Sequence, residues 1–133
     1  MSNELRVPIK SKIASFTDLY VWQEGHKLVV NIYLVTKNFP DEEKFGLTSQ
    51  IRRSSVSITS NIAEGFGRST YKDRLHFYFV SQGSLSELKN QLLIARYVGY
   101  LSSDNFSILA NQSNKVHELL QGFIKKTKSF INS

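Results

Sequence analysis

Apolar residues recur every three to four positions along most of this chain, and an alternation of period two is sustained nowhere. The pattern predicts four long helices. The first opens near Thr17-Asp18, with Thr17 as its N-cap, and stops before Pro40. Its apolar arc is Val21, Trp22, Leu28, Val29, Ile32, Tyr33, Val35 and Phe39. An acidic connector, Asp41 to Lys44, leads to a second helix over about Phe45 to Glu64. There Leu47, Ile51, Ile58 and Ile62 share one face with Ser54 and Ser55 between them. The β-branched run from Val56 to Ile62 would also suit a strand, but its period of about four decides for helix. Gly65 is the expected left-handed stop, and Gly67 loosens the turn. Ser69 or Thr70 can cap the third helix, which carries Asp73 in its first turn and continues to about Tyr97. Gly99 ends it. Ser102-Ser103-Asp104 opens the fourth, which runs to near Phe130 on a stripe of Leu109, Val116, Leu120 and Phe123. With only Pro8 and Pro40 in the chain, nothing interrupts these helices. Short connections between four helices predict an all-α, up-down-up-down four-helix bundle over residues 16–133, preceded by a loose, flexible N-terminal arm, residues 1–15.

The third helix has more apolar surface than one buried arc needs. Phe77, Ser81, Leu85, Leu88, Leu92 and Ala95 form one stripe. Leu75, Phe79, Leu93 and Tyr97 lie on nearly the opposite side. The second helix repeats this more weakly, with Val56 and Ala63 facing away from Ile51 and Ile58. A second stripe calls for a second partner, so these six residues are the expected interface of a homo-oligomer formed through outer helix faces. The plainer alternative is a third helix sitting centrally between two neighbours of its own subunit.

Composition narrows the class. The 133 residues suit one domain with a single core, and 41% of them are hydrophobic. No cysteine is present, which excludes disulfides and thiolate metal sites and fits a reducing, cytoplasmic compartment. No apolar run approaches a membrane span, and residues 1–12 lack an apolar signal core. The net charge of +6 is unevenly placed. Arg6, Lys10 and Lys12 oppose Glu4. Arg52, Arg53, Arg68, Lys72 and Arg74 oppose Glu64 and Asp73. Lys115, Lys125, Lys126 and Lys128 oppose Glu118. Such a distribution favours a polyanion, with nucleic acid the commonest; solubility alone is the competing explanation.

Motifs for chemistry are sparse. His26, His76 and His117 lie on three different helices, and none has a second His or a Glu at metal-ligand spacing, so neither metal nor cofactor is expected. His26 beside Trp22 reads as a boundary residue. Glu64 stands alone and is placed to pair with Arg68 four residues on. Ser54, Ser55, Ser57 and Ser60 have no base anchored beside them, and serines this dense on a helix serve close packing and backbone hydrogen bonds. An enzyme is therefore not expected. Gly65-Phe66-Gly67 lacks a phosphate-loop pattern, although a single phosphate could dock at the following helix N-terminus. Arg52 and Arg53 point to different sides of their helix, Arg52 beside Val56 and Thr59, Arg53 beside Ser57 and Ser60. An Arg flanked by hydroxyls is a reasonable phosphate contact, and Arg68, Lys72 and Arg74 would extend the patch across the turn. No exposed aromatic for base stacking is identifiable, so binding through the backbone of RNA or DNA without strong sequence reading is the expectation. The alternative is a scaffold that docks a protein partner, its cations serving to steer. The Lys125-Lys126-Thr127-Lys128 tail is either a further contact or a helix end complementing its dipole.

Several segments together resemble a known family. These are LYVW at Leu19–Trp22, Phe39-Pro40, FGLTSQIRR at Phe45–Arg53, SITSNIAEG at Ser57–Gly65 and GSLSEL at Gly83–Leu88. They resemble the four-helix-bundle proteins named for intervening sequences in 23S rRNA, over about Phe16 to Leu101. The resemblance implies a bundle that assembles as a ring-like homopentamer. It extends to the accessory variability determinant of diversity-generating retroelements, which binds nucleic acid and a reverse transcriptase through a basic surface. Of the candidate cations, Arg52, Arg53 and Arg68 fall in matched motifs. Where the family pattern has Pro in Ser-Ile-Pro-Ser-Asn, this chain has Thr59, which implies a straighter or differently packed second helix.

Overall fold

In the computed structural model, which describes residues 12–131, the four expected helices are α1 (Tyr20–Thr36), α2 (Leu47–Phe66), α3 (Tyr71–Tyr97) and α4 (Ser103–Ile131). Each packs against its neighbours in sequence, and α1 closes the ring against α4. The diagonal pairs do not approach at the backbone. Cross-helix contacts run in opposite directions along every adjacent pair. On α2 and α3, Ser54 meets Gln91 and Ile58 meets Ser81; on α3 and α4, Tyr71 meets Phe130 and Tyr78 meets Phe123. The arrangement is thus up-down-up-down. Leu28 and Ile32, Ile51, Ile58 and Ile62, Leu85 and Leu88, and Leu109 and Leu120 contribute a fully buried core from all four helices.

Helix starts are set by short polar side chains, in places other than expected. Thr17 does not cap α1. Ser15 caps a single 3-10 turn, Phe16–Asp18, by accepting from the Thr17 N–H, and the Asp18 carboxylate reaches back to the backbone N–H groups of Ala14 and Ser15. This capping box holds the chain before α1 begins at Tyr20. Residues 14 and 15 of the expected arm are therefore tied to the bundle, while residues 1–11 lie outside the described residues. Thr70 caps α3 by accepting from Asp73 N–H, and Ser102 accepts from Asn105 N–H at the start of α4.

The acidic connector is not simply an exposed loop. Asp41–Glu43 form a 3-10 turn, and the Glu43 carboxylate accepts from the Leu47 N–H at 3.0 Å and from the Tyr100 hydroxyl at 2.9 Å. One side chain thereby caps α2 and ties it to the α3–α4 connection. The backbone N–H bond, then the Tyr100 hydroxyl, hold the Glu43 carboxyl below the usual carboxylate range.

Gly65 is not a left-handed stop. It lies inside α2 and is buried; Gly67 follows in ordinary right-handed geometry, and Gly99 is the one described residue with positive φ, at 89°. Gly65 is required by close approach. A Cβ there would stand 2.7 Å from Tyr78 Cε1, 2.9 Å from Phe77 Cβ and 3.0 Å from the Arg74 carbonyl oxygen. The α3 core stripe is accordingly centred on Tyr78, which is buried, with Phe77 half-buried at its edge. Helix α2 runs unbroken through Thr59, whose hydroxyl donates to the Val56 carbonyl and whose methyl faces Gly25 of α1.

Two outcomes follow. Gly65→Ala lowers unfolding stability by about 1–3 kcal/mol, although alanine favours helix by about 1 kcal/mol, because α3 cannot retreat from the new methyl; denaturant unfolding measures this. Glu43→Gln melts below the wild type at neutral pH. Since the folded-state pKa of Glu43 is depressed, its contribution is present above the ordinary carboxylate pKa of about 4.3 and fades as pH falls through the lower folded value. The gap between the two melting curves therefore narrows in acid.

Candidate nucleic-acid interface

The five arginines and lysines expected to form one patch divide into two groups. Arg68, Lys72 and Arg74 are brought together at the α2–α3 turn. Arg52 and Arg53 lie back along α2, about 24 Å of helix from Arg68 at 1.5 Å per residue.

Local packing explains what each cation can do. Arg52 faces α1: its Nε donates to the Thr36 hydroxyl at 2.8 Å, and its guanidinium lies 4.7 Å from the Tyr33 ring centroid. It is a strut between α1 and α2. Arg53 points to the outer face, is exposed, and has no hydrogen bond or ion pair among the described residues. Arg68 pairs with Glu64 at 3.0 Å and stacks 4.6 Å from the Phe77 ring. Arg74 donates from Nε to the Arg68 carbonyl at 2.8 Å, with the rings of Phe66 and Tyr71 on either side. These two arginines fold the turn while keeping guanidinium surface open to solvent. Lys72 is exposed and has no partner among the described residues.

Antiparallel topology adds three cations that the sequence reading left outside its site. The end of α4 lies beside the start of α3, where Tyr71 and Phe130 meet at 5.0 Å and the Lys128 ammonium lies 5.2 Å from the Phe79 ring. Lys125, Lys126 and Lys128 thus join Arg68, Lys72 and Arg74 at one pole, six cations against Asp18, Glu64 and Asp73. To a similar depth the opposite pole holds Lys37, Lys44, Arg52, Arg53 and Arg96 against Asp41, Glu42, Glu43 and Asp104, so the positive excess is greater at the pole of the α2–α3 turn. The signal was available: in four antiparallel helices of this length, residues near 128 must return to those near 72.

Aromatics are exposed at the same pole, contrary to expectation. Phe79 and Tyr71 are each 44% accessible. Of the expected interface residues, Tyr97 at 87%, Leu93 at 45% and Val56 at 37% are exposed beside Phe79, whereas Leu75 and Ala63 are half-buried. Helix α3 does sit between α2 and α4 of its own subunit, and Phe79, Leu93 and Tyr97 stay exposed even so. Ile94 and Val98 join Leu93 and Tyr97 in one apolar patch near the end of α3. On α1, Val30, Tyr33 and Leu34 are also exposed, so Tyr33, expected in the core arc, lies at its edge.

Other titratable groups make contacts within the bundle. Glu24 accepts from Lys27 at 2.9 Å and Lys115 at 3.0 Å; burial pushes its carboxyl up, and the two ammonium groups more than offset that, leaving it below the usual range. Lys89 and His117 meet at 2.6 Å across α3 and α4. Burial lowers both, and the Lys89 charge lowers His117 further. Burial pushes the Tyr78 phenol up to about 12, against the pull of Arg74. His26 stacks on Trp22 at 4.8 Å. Among the described residues no group of His, Asp and Glu could hold a metal ion, and no helix is long and apolar enough to cross a membrane.

Residues 17–122 match the family model described as 23S rRNA-intervening sequence protein. The chain belongs to that family. Its fold is shared by a crystal structure of a protein of unknown function from the S23 ribosomal protein family of Bacteroides thetaiotaomicron. That structure matches with a TM-score of 0.74 at 24% identity over 79% of this chain and 95% of the other. No curated protein matches the chain. The family motif at Phe45–Arg53 thus contains one arginine that braces the bundle and one that faces solvent.

Arg52→Ala costs about 0.5–1.5 kcal/mol of unfolding stability, through the lost hydrogen bond and ring contact, whereas Arg53→Ala stays within about 0.5 kcal/mol of wild type. Parallel denaturant titrations check the contrast.

Proposed function

We propose that this family member is a non-enzymatic, self-associating four-helix bundle that binds RNA or DNA mainly through phosphate contacts. The observation that carries the reading is the gathering of Arg68, Lys72, Arg74, Lys125, Lys126 and Lys128 at one pole; Arg53 adds an uncommitted cation on the outer face of α2, toward the other end of the bundle. A polyanion meeting that pole displaces condensed counterions, which drives binding without reading sequence. The family description, which ties its members by name to an insertion in 23S rRNA, agrees with a nucleic-acid context.

Self-association is supported by the apolar patch of Leu93, Ile94, Tyr97 and Val98, with Val56 exposed on α2. A closed ring of such copies, a homopentamer by family resemblance, would repeat the cationic pole around its axis and raise the local positive potential. A second reading is favoured by a separate observation. Val30, Tyr33 and Leu34 of α1 form another exposed apolar group, suited to docking a protein partner such as a polymerase that itself handles nucleic acid.

One experiment tests the leading reading: salt titration of binding to labelled RNA and DNA of unrelated sequences, with the mass of the protein followed by light scattering. The wild type is larger than one 15.2 kDa chain, and its affinity falls steeply with salt. The double variant Arg53→Ala, Lys72→Ala keeps that mass, binds every sequence more weakly, and has a salt slope shallower by about 1–2. An unchanged slope contradicts phosphate binding by these residues, and a monomer contradicts self-association.

A further inference from the structure

The groove between α3 and α4 at the cationic pole is lined by Phe79, Gln82, Gln121, Ile124, Lys125 and Lys128. Its composition differs from that of the other exposed apolar surfaces. The patch near the end of α3 is broad and apolar, with Tyr97 as its one aromatic ring; this groove combines an accessible aromatic ring with two neutral amides and two ammonium groups around a buried isoleucine. The Lys128 ammonium lies over the Phe79 ring, 5.2 Å from its centroid.

We propose that this groove binds an unpaired base of single-stranded nucleic acid, stacked on Phe79, with the flanking phosphates on Lys125 and Lys128. The proposal rests on the nucleic-acid reading above and makes it more specific. A base on the ring replaces the ammonium there, and Lys128 turns on its flexible stem to a phosphate, so both partners of the present contact gain a new one. Gln82 and Gln121 each offer an N–H donor and a carbonyl acceptor, which can meet the edge of any base; recognition is therefore of unpaired bases rather than of one sequence. A duplex cannot use the ring, because its bases are already stacked between their neighbours. Charge argues against a two-fold contact with a second copy, which would press Lys125 and Lys128 against their own equivalents; a head-to-tail contact, as in a ring, is the case that the mass of the Phe79 variant decides.

The test is fluorescence anisotropy of labelled oligo(U), oligo(dT) and a duplex of equal length, with light scattering alongside. Phe79→Leu keeps apolar bulk but removes the π-face. It weakens binding of both single strands at least about fivefold and leaves duplex binding and protein mass unchanged. Phe79→Trp retains or improves single-strand affinity. Lys125→Ala with Lys128→Ala weakens single strand and duplex alike. Equal single-strand affinity for Phe79→Leu and wild type overturns the stacking while leaving phosphate binding intact. A loss of mass in Phe79→Leu overturns it by assigning the ring to a contact between copies. A wild type that binds none of the three probes overturns both readings.

Discussion

The structure depends on how closely α2 and α3 approach. Small residues make that approach possible and hydroxyls make it stable. Gly65 leaves no room for a side chain against Tyr78. Farther along the same seam, the Ser81 hydroxyl donates to the Ile58 carbonyl at 2.8 Å, Ser57 and Ser84 share a hydrogen bond at 2.8 Å, and Ser54 lies 2.6 Å from the Gln91 side-chain oxygen. The hydroxyls of Ser54, Ser57 and Ser81 are satisfied within or across the helix pair, so these small polar residues occupy the seam without the cost of unpaired groups; Thr48, at the start of α2, is a buried hydroxyl without a partner among the described residues. Of the serines that could suggest a nucleophile, Ser54 and Ser57 belong to this seam, Ser55 bonds the Arg52 carbonyl of its own helix, and Ser60 is exposed.

That seam also determines where the charge goes. With α2 and α3 held close, the four residues between them must turn tightly, and Arg68 and Arg74 are used to close the turn. Arg74 bonds the Arg68 carbonyl, and both guanidinium groups lie against aromatic rings. Guanidinium groups keep their charge in such contacts, so a structural task and a positive potential coexist in the same side chains. The end of α4 then adds three lysines to a pole that is already positive. The opposite pole is closed by Glu43, which caps α2 and accepts from Tyr100, a carboxylate where the other pole uses guanidinium groups. The lopsided field follows from which polar groups close each end of the bundle.

Exposed apolar surface separates by the charge beside it. Near the end of α3, Leu93, Ile94, Tyr97 and Val98 present a broad face suited to burial against another protein surface. Near its start, Phe79 lies under Lys128 in a cluster of cations that favours a polyanion. One helix thus presents two kinds of surface along its length, and the two share no residues.

Much of this was legible in the sequence. The period of the apolar positions determined four helices. Thr70 and Ser102 marked two of their starts, Glu64 and Arg68 were spaced to pair, and the surplus apolar stripe on α3 announced an outer face. Those features depend on neighbours within a few residues, where helical geometry is fixed by the chain itself. Tertiary structure alone decided the rest. It made Gly65 a contact residue instead of a stop, because that role lies in the position of Tyr78. It made Arg52 a strut and left its neighbour Arg53 free, because one helical step of about 100° turns one side chain toward α1 and the other to solvent. It brought Lys128 over Phe79, although nearly fifty residues separate them, because antiparallel packing places the end of α4 beside the start of α3.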